Sequence, residues 1–451
     1  MGGKQFKNKS LVSGSIRNIE VQNLKMQEVF KQPDWLGSTN IYEVNLRQYT
    51  PEGTIAAFVK HLPRLQEMGV DIVWFMPITP ISKKNRKGSL GSYYACSSYV
   101  QVNPEFGTID EFKAMVKQIQ SMGMKVIIDW VANHTGWDHE WTHSNPDFYT
   151  KDHHGNFKPP VDTWEDVIHL NFMNGDLWKS MIAAMEFWVK ECDIDGFRCD
   201  MAALVPLDFW AAARRQMDTH KTLFWYGEFD QWGEEAYGNV FDASYTWHWM
   251  HIAQEYYKYK WKTVSLDAAL TGYSYKKPYR HLRTFFTSNH DENTWNGTEY
   301  EKYGQMTLPL AVFSCTWKGI PLIYSGQEQP NHKRLLFFDK DLIEWKGKPA
   351  LHEFYKTLLS FRKTHPIFQD HHHNVLTWRI ATSDHHSIFS FARTNLKHSI
   401  VVLLNFSDKR VRFQIEDTRL KGEYTDLFTG KKTSLKEIHA LDAWGYLVLY
   451  S

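Results

Sequence analysis

The stretch Leu65-Gln66-Glu67-Met68-Gly69-Val70-Asp71-Ile72-Val73-Trp74-Phe75 runs from the end of an amphipathic helix, through one glycine, into an apolar strand. Ser121-Met122-Gly123-Met124-Lys125-Val126-Ile127-Ile128-Asp129 repeats the arrangement further along. The glycine suits the left-handed position just past a helix end. The strands are continuous apolar runs, as expected when both faces of a sheet are covered. Upstream of the second unit, Thr108-Ile109-Asp110-Glu111 fits a capping box opening its helix. Working outward, candidate strands fall near 41–46, 71–76, 125–131, 196–200, 223–228, 240–245, 283–288 and 320–325. Helical stretches between most of them argue for a parallel sheet. Eight such units over about 330 residues predict an α/β fold, a (β/α)₈ barrel with insertions.

Three regions depart from this repeat. Residues 1–34 have little periodicity and read as a tail or leading segment. Between His134 and about Asp176 neither helix nor strand pattern is evident, and the stretch is too long for a plain loop. It reads as an excursion from the third strand that walls one side of a cleft. From about 372 the pattern changes to short alternating strands, such as Ser387–Phe391, Ser399–Leu404 and Tyr446–Tyr450, which predict an antiparallel β-sandwich. The expected division is a leading segment 1–34, a barrel 35–370 with an insertion at about 134–178, and a β domain 371–451.

Composition narrows the function. Lys+Arg (52) and Asp+Glu (51) nearly cancel, so no basic field points to nucleic acid and no charge block to an anionic membrane. Aromatic residues are abundant, with 19 Trp, 22 Tyr and 28 Phe. Trp and Tyr combine flat apolar faces with a polar edge, surfaces on which sugars stack, although most of these residues are expected in the core. Cys96, Cys192, Cys199 and Cys315 form no CxxC, and packing as small hydrophobes is their expected role. No apolar run has the length of a membrane span. The polar first residues lack a signal-peptide core, so a cytoplasmic chain is expected, or an exported one if a leader was removed.

The predicted barrel carries chemistry at its strand ends. Gly196-Phe197-Arg198-Cys199-Asp200, Tyr226-Gly227-Glu228 and Ser288-Asn289-His290-Asp291 each end a strand in a carboxylate, and Asp129-Trp130-Val131-Ala132-Asn133-His134 sits at a similar place. Carboxylates at the mouth of apolar strands face unfavourable desolvation unless partners, water or substrate compensate. Brought to one rim, they can supply a nucleophile, a general acid and a stabiliser of positive charge, the set that glycoside cleavage needs. Arg198 and Asp200 share a strand face, so the guanidinium is expected to lower the Asp200 pKa and keep it ionised. Glu228, near ionised Asp200 in a partly apolar cleft, is expected to rise, as suits a general acid. Asp291 is placed to stabilise an oxocarbenium-like transition state. Each motif taken singly also has a bland reading: an Arg–Asp pair, a strand-end carboxylate, a helix cap.

Together, in this order, the four segments resemble the conserved regions of the α-amylase family (glycoside hydrolase family 13). Gly69–Ile78 resembles that family's second strand, Asn103-Pro104-Glu105-Phe106-Gly107-Thr108 the segment before its third, and Gly319–Glu328 its eighth. The resemblance covers about residues 35–451. It implies Asp200 as nucleophile, Glu228 as acid/base and Asp291 as transition-state stabiliser. It further implies Tyr94, His134, Arg198 and His290 as substrate-binding residues, Asp129 as a structural acid, and no metal in the chemistry. The implied reaction is retaining hydrolysis of α-1,4-glucosidic bonds in starch, glycogen or malto-oligosaccharides through a glycosyl-Asp200 ester, with the two carboxyls about 5–5.5 Å apart. The implied partner is the glucan alone, with no nucleic acid and no membrane; the oligomeric state is not read.

Some positions depart from the family pattern. Ala203 and Leu204 stand where many α-amylases carry Lys and His, and Arg47-Gln48-Tyr49-Thr50-Pro51-Glu52-Gly53 replaces an acidic calcium loop. Asn133 matches one calcium-ligand position and Asn171 lies near another, so the implied structural calcium has only part of the oxygen-rich set that ion needs. An α-glucosidase, cyclomaltodextrinase or glucanotransferase would share the catalytic residues. A non-catalytic relative, such as the amylase-like heavy chain of amino-acid transporters, would lack parts of the triad, which this chain keeps. A metal hydrolase is disfavoured: His153-His154 and His371-His372-His373 show no ligand spacing and read as surface loops. Trp137, Trp141 and Trp164 are candidate sugar platforms.

Overall fold

The computed structural model describes residues 30–230, 235–260, 263–273, 280–369, 375–395, 397–435 and 438–451. The first part of the expected leading segment and the His371–His373 run lie outside the described residues. In chain order the first strands are β1 (Ile41–Val44), β2 (Ile72–Phe75), β3 (Lys125–Trp130), β4 (His134–Gly136) and β5 (Val167–His169). There follow β6 (Gly196–Cys199), β7 (Phe224–Gly227), β8 (Ala243–Ser244), β9 (Leu282–Phe285) and β10 (Ile320–Tyr324). Eight of these close into a barrel in the order β1-β10-β9-β8-β7-β6-β3-β2. All eight pairings are parallel. The strands are buried along nearly their whole length, which is why they read as unbroken apolar runs.

Local signals explain the joints. Thr108 caps the helix Ile109–Ser121 through a reciprocal capping box with Glu111. Gly69 closes the helix Leu62–Met68 in the left-handed conformation, and the chain then enters β2. The expected strand near 240–245 shrinks to Ala243–Ser244, because residues 235–240 are helical. Within the expected leading segment, Phe30 packs under the guanidinium of Arg214, and Lys31 O accepts from Arg214 Nη2. Tertiary contacts hold this piece, so no periodicity marks it.

The excursion after β3 has sparse structure. β4 and β5 form an antiparallel pair, with His134 opposite His169, and a short helix spans Trp141–Ser144. Three-residue strands are too short to register as a sequence pattern. The loop after β2 is pinned to this excursion, since Gly136 N donates to Cys96 O.

After the barrel come β11 (Leu376–Arg379), β12 (Ile388–Thr394), β13 (Ser399–Asn405), β14 (Val411–Phe413), β15 (Glu423–Asp426), β16 (Lys432–Ser434), β17 (His439–Leu441) and β18 (Tyr446–Tyr450). They build an antiparallel sheet in the order β11-β12-β13-β18-β15-β16, with β14 and β17 as a separate pair. Alternation divides its faces. Phe389, Phe391, Ile400 and Val402 join the barrel's apolar core, while Ile388, Val401, Leu403 and Leu449 cluster with Phe413 and Leu441. Trp317 meets Phe391 edge-on at 4.8 Å, so the sheet is welded to the helical layer of the barrel. Among the described residues no helix is long and apolar enough to cross a membrane.

Candidate active site

The ends of β3, β6, β7 and β9 meet over the barrel axis. Asp129 and Arg198 are register partners on β3 and β6, so their side chains project from one level of the sheet. Arg198, fully buried, donates from Nη1 to Asp129 Oδ1 (2.9 Å) and Asp200 Oδ1 (2.9 Å) and from Nε to Tyr245 OH (3.0 Å). Its Nη2 faces Glu228 Oε2 at 2.9 Å. One guanidinium thus gathers three carboxylates, and those of Asp200 and Glu228 sit on its two adjacent nitrogens. Glu228 Oε2 also accepts from Met201 N (2.8 Å). Asp200 Oδ2 is buried without a hydrogen-bond partner.

A second charged centre adjoins the first. His290 lies between Glu43 and Asp291: Nδ1 is 2.5 Å from Glu43 Oε1 and Nε2 is 3.3 Å from Asp291 Oδ2. Tyr94 OH is 2.7 Å from His290 Nε2 and donates to Asp129 Oδ2 (3.1 Å). The Tyr94 ring stacks on both His290 and Phe337. A cleft of about 480 Å³ opens above these groups, lined by Tyr94, His134, Trp164, Asp200, Glu228 and Asp291. Arg198 and His290 do not line it, but both touch its lining residue Tyr94.

Electrostatics here correct one sequence expectation. Burial pushes Asp200 well above the usual carboxylate range; Arg198 opposes this, while Glu228, Asp129 and Asp291 add to it. Arg198 was expected to lower Asp200 outright, but its single charge is divided among three carboxylates. Burial likewise raises Asp129, to about 6, against Arg198 and His290. Burial lowers His134 to about 3, leaving a neutral ring. Burial would lower His290 too, but Asp291 and Glu43 outweigh it and raise the ring to about 9.

The predicted residues Tyr94, His134, Arg198, Asp200, Glu228, His290 and Asp291 therefore converge. Glu43 was missed. It is an acid inside the buried strand Ile41–Val44, and the desolvation argument applied to strand ends would have flagged it. Trp295 was missed as well. It follows Asp291 on a π-helical turn, Glu292–Asn296, and stands about half exposed at the cleft. Of the three candidate platforms only Trp164 lines the cleft. Trp141 packs against Tyr99 and Phe148, and Trp137 Nε1 donates to Glu165 O.

The residues do not assemble a calcium cage. Asn133 Nδ2 faces His134 Nδ1 at 3.2 Å, Asn171 Oδ1 accepts from Met173 N, and Leu204 points half-exposed to solvent. Among the described residues one group of three His or carboxylate side chains could hold an ion, Glu67, His352 and Glu353, away from the cleft. There Lys356 and Lys348 already hold the two carboxylates.

A closed parallel barrel with carboxylates gathered at the C-terminal ends of its strands defines a barrel hydrolase with an acid-rich cleft. The model of the alpha-amylase catalytic domain matches residues 27–378, so the chain belongs to the α-amylase family of glycoside hydrolases and is a glycosidase. Alpha-amylase 2 of Dictyoglomus thermophilum is 24% identical over 450 residues, covering 89% of this chain and 74% of its own length. A cyclomaltodextrinase of Thermoanaerobacter pseudethanolicus is 23% identical, covering 85% of this chain and 73% of its own length. The crystal structure of a noncanonic maltogenic alpha-amylase from Thermotoga neapolitana superposes with a TM-score of 0.83 at 26% identity, over 92% of this chain and 98% of the other.

Proposed function

We propose that this glycosidase hydrolyses α-1,4-glucosidic bonds of malto-oligosaccharides and related α-glucans with retention of configuration. The observation that carries the reading is Arg198 holding Asp200 and Glu228 on adjacent nitrogens while Asp200 Oδ2 has no partner. In the first step the ionised carboxylate of Asp200 attacks the anomeric carbon through Oδ2, the bond to the leaving oxygen breaks, and Glu228 gives that oxygen its proton. In the second, Glu228 takes a proton from water, whose oxygen displaces Asp200. Carboxyls held on one guanidinium favour the two-step route, since inversion needs a wider separation that admits a water. Asp291 stabilises the positive charge developing on the sugar ring. Tyr94 offers a ring face to that sugar, while neutral His134 and charged His290 offer hydrogen bonds to its hydroxyls. The domain division belongs to this reading: barrel 35–370, excursion 134–178 walling the cleft, and β domain 371–451 as a brace. Four buried thiols accord with a reducing cytoplasm, the compartment proposed.

Proton NMR of maltoheptaose digestion tests the stereochemistry. The α-anomer of the new reducing end should appear first, at the same rate with and without EDTA; first appearance of the β-anomer would sink the mechanism.

Glu43 acts through His290 as a positioning residue. The two carboxylates keep His290 charged up to about pH 9, so its contribution is present below that value and lost as pH rises through it. Glu43→Gln removes one carboxylate and should move the alkaline limb of kcat/KM to lower pH. An unmoved limb in the folded variant would refute that role.

A further inference from the structure

In the closed order β1-β10-β9-β8-β7-β6-β3-β2, β7 lies four places from β1 in either direction. Glu228, which follows β7, therefore stands across the barrel mouth from the loops after β10, β1 and β2. Those three loops are laced into one wall. Leu90 N and Gly91 N both donate to Phe338 O (3.0 and 3.1 Å), and Ser89 donates from N and Oγ to Asp339 Oδ1 (2.7 and 2.6 Å). Arg47, after β1, donates to Gly91 O (3.1 Å), and Gln48 donates to Leu336 O (2.8 Å). Gly88 has φ +62°, and a Cβ there would lie 2.5 Å from Phe338 Cβ, so glycine is what lets the two loops touch. Lys87 carries the wall round to the excursion, donating to Thr163 O (3.0 Å) and pairing with Asp166 (3.2 Å).

This wall has a consequence for the substrate, resting on the reading of Glu228 as the acid. The proton donor stands beside the leaving oxygen, so the leaving chain lies on the β7 side. The sugar being transferred, and whatever precedes it, points to the β1 side. We infer that the wall closes this glycone end, so the enzyme engages the non-reducing ends of malto-oligosaccharides and removes one or two glucosyl units at a time. Lys87 and Phe338 both face the cleft from the wall. The cleft's volume of about 480 Å³ falls in the range of sites for compact ligands.

The test is digestion of maltoheptaose labelled at its reducing end by a fluorophore, using the full chain, with early products separated by length. The first labelled product should be one or two units shorter than the substrate, matched mole for mole by unlabelled glucose or maltose. A cyclic glucan, which has no end, should be left uncut over the same time. Labelled fragments of every length from the start, or ring opening as fast as linear cleavage, would overturn the closed end and leave the glycosidase chemistry standing. No cleavage of any maltosaccharide would overturn the substrate reading and this inference together. Asp339→Ala frees Ser89, and Gly88→Val wedges the loops apart. Either variant, if folded, should release units at least one glucosyl residue longer than wild type; an unchanged pattern in both would count against the wall as the stop.

Discussion

Asp200→Asn is expected to lower turnover of maltoheptaose by about 10⁴-fold or more, the scale on which loss of a nucleophile acting within a catalytic unit is felt. The same change should leave the melting temperature equal to wild type or above it. The two effects share a cause. Asp200 lines the cleft; its Oδ1 is held by Arg198, whereas Oδ2 is buried with no hydrogen-bond partner. Reactivity toward an anomeric carbon resides in that unpaired oxygen, and an amide nitrogen in its place cannot form the ester. Stability runs the other way. Burial, together with the neighbouring carboxylates, raises the Asp200 pKa in the fold. A carboxyl raised in this way favours folding below its unfolded pKa, and that contribution is lost as pH rises through the folded value. Asn carries no charge at any pH. The melting-temperature advantage of the variant should therefore be absent in acid and grow with pH. Steady-state rates and thermal unfolding across pH decide it: comparable turnover would remove Asp200 from the mechanism, and a variant destabilised more at high pH would contradict the assigned burden of burial.

Much of the site was legible because each of its motifs ends a strand. In a parallel barrel the C-terminal ends of all strands reach one rim, so the sequence alone groups Asp200, Glu228 and His290-Asp291. Tyr94 has no periodic signal of its own; only the family resemblance pointed to it. The sign of the Asp200 shift escaped because Arg198 is a visible neighbour in the chain. The depth to which Asp200 is buried, the largest cause of its raised pKa, is not. Glu43 becomes a partner of His290 only once β1 closes the barrel against β10. The wall depends on contacts such as Ser89 with Asp339, between loops 250 residues apart in sequence. Neither loop carries a repeating pattern, and a glycine such as Gly88 announces a turn without naming the residue it must let pass.

Glu228→Gln should cost about 10²- to 10⁴-fold in kcat on maltoheptaose, the span of a single general acid–base group. Its effect should depend on the leaving group, where that of Asp200→Asn should not. Glu228 Oε2 is tied to Met201 N and faces Arg198, and Oε1 makes no hydrogen bond among the described residues. The amide keeps that anchorage but has no proton to give. An aryl α-maltoside whose phenol is already acidic departs without protonation, so its first step should proceed almost normally in Glu228→Gln. The glycosyl-Asp200 ester then accumulates, because no base activates water. Azide attacks without needing a base, so adding it should restore turnover and yield the α-glycosyl azide, formed on the face opposite the ester. In Asp200→Asn no ester forms; any azide that reacts must enter opposite the leaving group and give the β-azide. One reagent thus returns opposite anomers from the two variants if the roles are as proposed. The same anomer from both, or no azide product from Glu228→Gln with the activated substrate, would exchange or dissolve the assignment of nucleophile and acid.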